Sequence, residues 1–138
     1  MATARRFDLV LFGATGFTGG LVADYLAAAS RRESFRWAIA GRDAGKLARV
    51  RDRVAAVAGA SVPEILEADA GDDASMAALA AAATAVITTV GPYARYGEPL
   101  LRACAENGTH YTDLTGEPQF VHRMRERYDD VARRTGAR

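Results

Sequence analysis

Short apolar runs alternate along this chain with longer stretches of helical period, a pattern that predicts a parallel sheet covered by helices on both faces. The first run, Phe7 to Phe12, is almost unbroken, as a strand buried on both faces requires. A helix is predicted from Phe17 to Ala29, with Phe17, Leu21 and Tyr25, and beside them Val22 and Leu26, spaced by four on its inward side. A second strand spans Arg36 to Ala40. The helix after it carries Leu47, Val50, Val54 and Val57 inward and stops at Gly59. Glu64 to Ala68 is the third strand, followed by an alanine-rich helix with Asp72 or Asp73 as cap and Met76, Leu79 and Ala83 facing the core. Ala85 to Val90 is the fourth strand. A helix from Glu98 to Glu106 ends at Asn107-Gly108, a pair suited to a left-handed cap. Thr109 to Asp113 is the fifth strand, and a last helix, Pro118 to Arg134, places Phe120, Met124, Tyr128 and Val131 on one face.

These five strand-helix units predict a doubly wound α/β domain, the Rossmann fold, over residues 1–138, with strand order 3-2-1-4-5. Six strands are usual, so the chain is expected to stop where the sixth would begin. Strand five then offers an unpaired edge, and a homodimer through that edge is an expectation.

In such a sheet the ligand lies at the carboxyl ends of the strands, in the crevice between strands one and four. The first strand-to-helix turn there reads Gly13-Ala14-Thr15-Gly16-Phe17-Thr18-Gly19. Its glycines suit a tight turn, a close approach of backbone to a pyrophosphate and close packing of helix on strand, and the helix N-terminus supplies free N–H groups. The spacing is Gly-x-x-Gly-x-x-Gly; Thr15 stands where the commoner dinucleotide pattern has a glycine. At the end of strand two, an acidic residue suits NAD and an arginine suits the extra phosphate of NADP. Arg42 favours NADP(H) over NAD, although Asp43 would reverse the choice if its loop turned it inward. Lys46 either adds to the phosphate charge or is a surface lysine. Asp69, past strand three, either accepts from an adenine amino group or caps the loop. Strand four empties into Thr88, Thr89, Val90, Gly91, Pro92 and Tyr93, which either line the nicotinamide side or merely end the strand around a packed tyrosine. Tyr111, Asp113, Thr115 and Glu117 gather at the same edge, as a site or as a solvated turn.

Charge and composition narrow the field. Of 138 residues, 18 are Lys or Arg and 17 are Asp or Glu, so there is no basic field for nucleic acid or an anionic membrane. No run is long enough for a signal peptide or a membrane span, and a cytoplasmic protein is expected. Cys104 is the only cysteine, which excludes an intramolecular disulfide and reads as a small buried apolar residue. His110 and His122 lack metal-ligand spacing, so no metal is expected. Gly41 to Leu47 hints at a P-loop but has one residue too few and no Ser or Thr for Mg²⁺. The tyrosine and lysine four apart that short-chain dehydrogenases use are also missing, since Arg42 stands four positions before the only lysine.

Together the glycine turn, Ala40-Gly41-Arg42, Val90-Gly91-Pro92-Tyr93 with Tyr96-Gly97, and Tyr111-Thr112-Asp113-Leu114-Thr115-Gly116-Glu117 closely resemble the N-terminal domain of saccharopine dehydrogenase-like oxidoreductases, over nearly the whole chain. Within that family the chain looks most like the trans-acting enoyl reductase branch associated with bacterial lipid synthesis. The resemblance implies hydride transfer from NADPH, with the glycine turn and Arg42 as cofactor contacts, and names no catalytic acid. It also implies several hundred further residues, including a substrate-binding domain, so this polypeptide alone is expected to bind cofactor without turnover. A dinucleotide sensor without catalysis and a flavin-binding domain of similar winding are the rival expectations.

Overall fold

A computed structural model describes residues 4–138. Five parallel strands, β1 (Phe7–Phe12), β2 (Trp37–Gly41), β3 (Glu64–Glu67), β4 (Ala83–Thr88) and β5 (His110–Thr112), form one sheet in the order β3-β2-β1-β4-β5. This is the doubly wound arrangement expected from the alternating pattern. β1 is central, with Val10 paired to Ala38 of β2 on one side and to Val86 of β4 on the other.

Strand side chains alternate between the two faces, and each face builds its own core. On one, Val10 and Phe12 of β1 and Val86 of β4 pack against Met76 and Leu79 of α3 (Asp73–Ala82) and Leu100 and Cys104 of α5 (Glu98–Asn107). On the other, Leu11 and Ile39 pack against Ala23 and Leu26 of α1 (Phe17–Ala29) and Leu47, Val50 and Val54 of α2 (Ala44–Ala55). α6 (Pro118–Thr135) lies beside α5 and buries Phe120 and Met124. No helix among the described residues is long and apolar enough to cross a membrane.

The helix termini follow from side chains. Asp43 caps α2 by accepting from Lys46 N–H at 3.0 Å, and Asp72 caps α3 by accepting from Ala74 N–H at 2.9 Å and Ser75 N–H at 3.2 Å. Gly108 ends α5 in the left-handed region, φ +67°, as Asn107-Gly108 foretells.

Three expectations change. The inward face of α1 is Gly19, Ala23, Leu26 and Ala27, whereas Phe17, Leu21 and Tyr25 are exposed, Phe17 by 86%. The reason is close packing at the helix start: Gly19 sits against the carbonyl of Gly13, so the first turns of α1 approach the sheet too nearly for large side chains, while Leu26, farther along, is buried as expected. β4 begins at Ala83 and ends at Thr88, two residues ahead of the apolar run that marks it, because α3 gives way to the strand without a glycine or proline stop. A single-turn helix, α4 (Tyr93–Tyr96), also follows β4 where only a turn is expected, and the Gly91-Pro92 peptide before it is cis.

Candidate functional site

The carboxyl ends of β1, β2, β3 and β4 open into one cleft of about 410 Å³. Phe12 and Gly13 reach it from β1, Thr15 and Gly16 from the turn, Arg42 from the exit of β2, Asp69 and Gly71 from that of β3, and Thr89, Val90 and Gly91 from that of β4; Tyr96 of α4 closes one side. Because β1 lies between β2 and β4, the turn after it is the one loop that both halves of the sheet flank.

Hydrogen bonds hold that turn from both sides. Gly13 N–H donates to Ala40 O of β2 at 3.0 Å, Thr89 N–H donates to Phe12 O at 3.0 Å, and Thr89 Oγ1 donates to Gly13 O at 3.2 Å. Gly13 has φ +97°, a conformation that favours glycine, and a Cβ there would come within 2.6 Å of Thr89 Oγ1. Gly19 meets the turn from the helix, where a Cβ would stand 2.6 Å from the Gly13 carbonyl carbon and closer still to its oxygen. Gly16 is different: it is exposed at the cleft, with only Gly13 O within reach of a Cβ, at 3.6 Å. Gly16 N–H is spent on Gly13 O, while the N–H groups of Phe17, Thr18 and Gly19, in the first turn of α1, have no partner among the described residues. An anion in the cleft meets a helix N-terminus with free donors and an open glycine face, a set that fits a pyrophosphate.

Arg42 is exposed and no carboxylate engages it among the described residues. Asp43 does not turn into the cleft; its carboxylate is held by Lys46 N–H, a bond that lowers its pKa below the usual carboxylate value. Asp69 lines the cleft and spends Oδ1 on Gly71 N–H at 2.9 Å, and its backbone N–H donates to Ser75 Oγ at 3.0 Å. A smaller hollow of about 250 Å³ adjoins Arg42, bounded by Glu67, Asp69 and Ser75.

Other residues proposed from sequence lie outside the cleft lining. Ala14 is buried beneath the turn, Gly19 is packed behind it, and Phe17 and Thr18 are exposed on α1. Lys46 is exposed on α2, and Pro92 is exposed beside the opening. Tyr93 is buried against Phe120, and its hydroxyl donates to Thr88 O at 2.9 Å. Burial is the main influence pushing its pKa up. Thr89 lines the cleft as expected and Thr88 is buried outside its lining, whereas Phe12, Gly41, Ala70, Gly71 and Tyr96 line it without having been singled out. Gly71 and Gly41 adjoin residues that were, and Tyr96 belongs to the Gly-Pro-Tyr-x-x-Tyr-Gly segment.

Behind α4, Tyr111 OH donates to Asp113 Oδ2 at 2.6 Å and is pushed well above the usual tyrosine range, first by burial and then by that carboxylate. Asp113 Oδ1 accepts from Thr115 N–H at 3.0 Å, and Glu117 accepts from the N–H groups of Tyr93 and Ala94 at 2.7 and 3.1 Å. This cluster does not line the cleft. Asp113 and Thr115 instead border a mostly apolar hollow of about 320 Å³ between β5 and α6.

Comparison with known proteins agrees with this geometry. Residues 9–137 match the family described as saccharopine dehydrogenase NADP binding domain. The chain is 48% identical over 134 residues to a trans-acting enoyl reductase of Mycobacterium tuberculosis, covering 97% of this chain and 31% of that protein. To the trans-acting enoyl reductase of Mycobacterium ulcerans it is 45% identical over 139 residues, covering 100% and 32%. The chain thus spans about a third of the length of these relatives. Apo saccharopine dehydrogenase (L-Glu forming) from Saccharomyces cerevisiae shares the fold, with a TM-score of 0.65 at 18% identity over 83% of this chain and 23% of that one. By sequence match and strand order alike, this chain belongs to the saccharopine dehydrogenase NADP binding domain family.

Proposed function

We propose that this chain binds NADP(H) across the β1–β4 cleft and serves as the hydride-carrying half of an oxidoreductase. One observation carries the reading: a single hollow joins the turn at the N-terminus of α1, through Gly13, Thr15 and Gly16, to Arg42, a cation with no carboxylate partner among the described residues. In this reading the turn from Gly13 to Gly16 and the first turn of α1 hold the pyrophosphate. Arg42 takes the 2′-phosphate, with Lys46 one helical turn away adding charge at longer range. Asp69 and Gly71 flank the adenosine end, and Val90, Gly91 and Tyr96 form the wall at the nicotinamide end. Pro92 and Tyr93 shape that wall from behind.

The longer relatives named as trans-acting enoyl reductases support a reaction in which a carbon–carbon double bond conjugated to a carbonyl accepts the hydride. Residues 1–138 are the cofactor domain in this reading, and the substrate side belongs to polypeptide that the relatives have in addition. A cytoplasmic location goes with it, testable by cell fractionation. A homodimer through β5 is a narrower proposal, since the strand is three residues long and Tyr111 N–H already donates to Arg138 O at 2.7 Å. Sizing chromatography that finds only monomer eliminates it.

Calorimetric titration with NADPH and NADH tests the main proposal. Arg42→Ala is expected to weaken NADPH by about 1.5–3 kcal/mol, the scale of a hydrogen bond to a charged group, and to leave NADH almost unchanged. Equal losses for both nucleotides would refute the phosphate role, and no binding of either to the wild type would refute the proposal.

A further inference from the structure

We infer that Glu117, which lies outside the cofactor cleft, is a positioning residue for its nicotinamide-side wall; the inference rests on reading that cleft as an NADP(H) site. The wall is built on weak local structure. Val90, Gly91 and Tyr96 stand on either end of a segment whose only regular element is α4, four residues long. One helical turn fixes several dihedral angles in return for very few internal hydrogen bonds, so it does not hold its shape unaided.

Glu117 supplies what α4 lacks. Its Oε2 accepts from Tyr93 N–H at 2.7 Å and its Oε1 from Ala94 N–H at 3.1 Å, so one carboxylate takes both leading donors of the turn. Bonds of this kind, with an ionised acceptor, are among the stronger ones. The same residue is the N-cap of α6, where Glu117 O accepts from Phe120 N–H at 3.0 Å and Val121 N–H at 3.2 Å. Glu117 therefore has its backbone in the start of an 18-residue helix and its side chain in the start of a four-residue one. Thr115 aligns it, with Glu117 N–H donating to Thr115 Oγ1 at 3.1 Å.

Packing runs in the same direction. Tyr93 is buried against Phe120 of α6, with ring centroids 6.0 Å apart. Gly97, directly after Tyr96, leaves no room for a side chain, because a Cβ there would lie 2.8 Å from Phe120 Cζ. α6 is itself fixed by Arg127 and Tyr128, which donate to Glu98 at 2.8 and 2.7 Å. The placement of Gly91 and Tyr96 at the cleft is thus set from α6 through Glu117, 24 residues beyond Tyr93. Among the described residues, the adenosine end, built on Arg42 and Asp69 at the far side of β1, has no such link to α6.

The test compares two ligands on the 138-residue chain by calorimetry: NADPH, which reaches both ends of the cleft, and adenosine 2′,5′-bisphosphate, which reaches only the adenosine end. Glu117→Ala is expected to weaken NADPH about tenfold, within the range for residues that act through a partner, and to leave the bisphosphate within about twofold. Glu117→Gln, which keeps one acceptor oxygen, is expected to fall between Glu117→Ala and the wild type for NADPH. If Glu117→Ala does not fold, Glu117→Gln carries the same comparison. Parallel loss of both ligands would show a general structural role and overturn the inference, as would unchanged NADPH binding. Failure of the wild type to bind either ligand would instead overturn the NADP(H) reading, and the inference with it.

Discussion

Replacing Gly19 with alanine separates the two uses of glycine at the head of α1. A Cβ at Gly19 would lie 2.6 Å from the Gly13 carbonyl carbon and 2.9 Å from Thr89 Oγ1. Carbon atoms rest at about 3.5–4.0 Å, so α1 has to withdraw from the turn by about 1 Å. Both sides of the contact are backbone, and Thr89 holds the turn from β4, so no side-chain rotation relieves it. Overpacking of this kind costs about 1–3 kcal/mol, and with rigid partners the upper end applies. Alanine recovers up to about 1 kcal/mol of helix propensity, leaving a net loss of about 2 kcal/mol. For a domain of this size that corresponds to a fall in Tm of about 8 °C. Gly16→Ala is the control. Its nearest neighbour is 3.6 Å from the added Cβ and its φ of −78° suits any residue, so the expected stability loss is only about 0.5 kcal/mol. That methyl projects where the pyrophosphate would approach, so NADPH binding should weaken by about tenfold or more. Urea denaturation followed by circular dichroism gives the stabilities, and calorimetry gives the affinities. The reasoning fails if Gly19→Ala is as stable as the wild type, or if Gly16→Ala is the less stable of the two.

Three further outcomes are expected. Cys104 is buried, and burial pushes its thiol up to about 12, so it should resist alkylation at pH 8 in the native chain and react on unfolding; fast native labelling would contradict its place on the inward face of α5. The Glu98 carboxyl is held below its ordinary value, first by the Tyr128 hydroxyl and then by Arg127, so it contributes stability above its unfolded pKa that is lost as pH falls through the folded one. Glu98→Gln should therefore be less stable than the wild type at pH 7 and lose less than the wild type on acidification; parallel acid limbs would remove Glu98 from that role. Phe17→Ser and Leu21→Ser should each change stability by less than about 0.5 kcal/mol, since both side chains face outward; a loss on the scale of a core truncation would return the stripe to the interior.

The extent of α1 was legible in sequence and its orientation only in part, since Val22 and Leu26 face the core as expected and Phe17, Leu21 and Tyr25 do not, and the difference is physical. Periodicity of four marks two stripes on this helix, Phe17-Leu21-Tyr25 and Gly19-Ala23-Ala27, and large apolar residues dominate any reading of hydrophobicity. The inward stripe is the small one because close approach to Gly13 demands it, a tertiary constraint with no local signal. β1, by contrast, is buried on both faces, and its apolar run, broken only by Asp8, announces as much. Gly13, Gly16, Arg42, Asp69, Val90 and Gly91 line the cleft because they follow strands whose carboxyl ends must meet at one edge. Tyr96 was not singled out, since a four-residue helix is too short to show a period. Tyr93 was placed near the right strand but on the wrong side of the wall, where its ring faces Phe120. The bonds from Glu117 to α4 span 24 residues and leave no mark on spacing.

The bond from Lys46 N–H to Asp43 also bears on how cofactor preference is redesigned or drifts. Asp43 is the acid nearest to Arg42 in sequence, and swinging it toward a ribose would strip α2 of its cap, at about 1 kcal/mol. If Arg42 takes the 2′-phosphate as proposed, preference for NADP(H) is thereby guarded by the stability of a helix as well as by the cation beside it. A variant selected for NADH is expected to acquire its acid at position 42 itself, as Arg42→Asp or Arg42→Glu, and to leave Asp43 at its post.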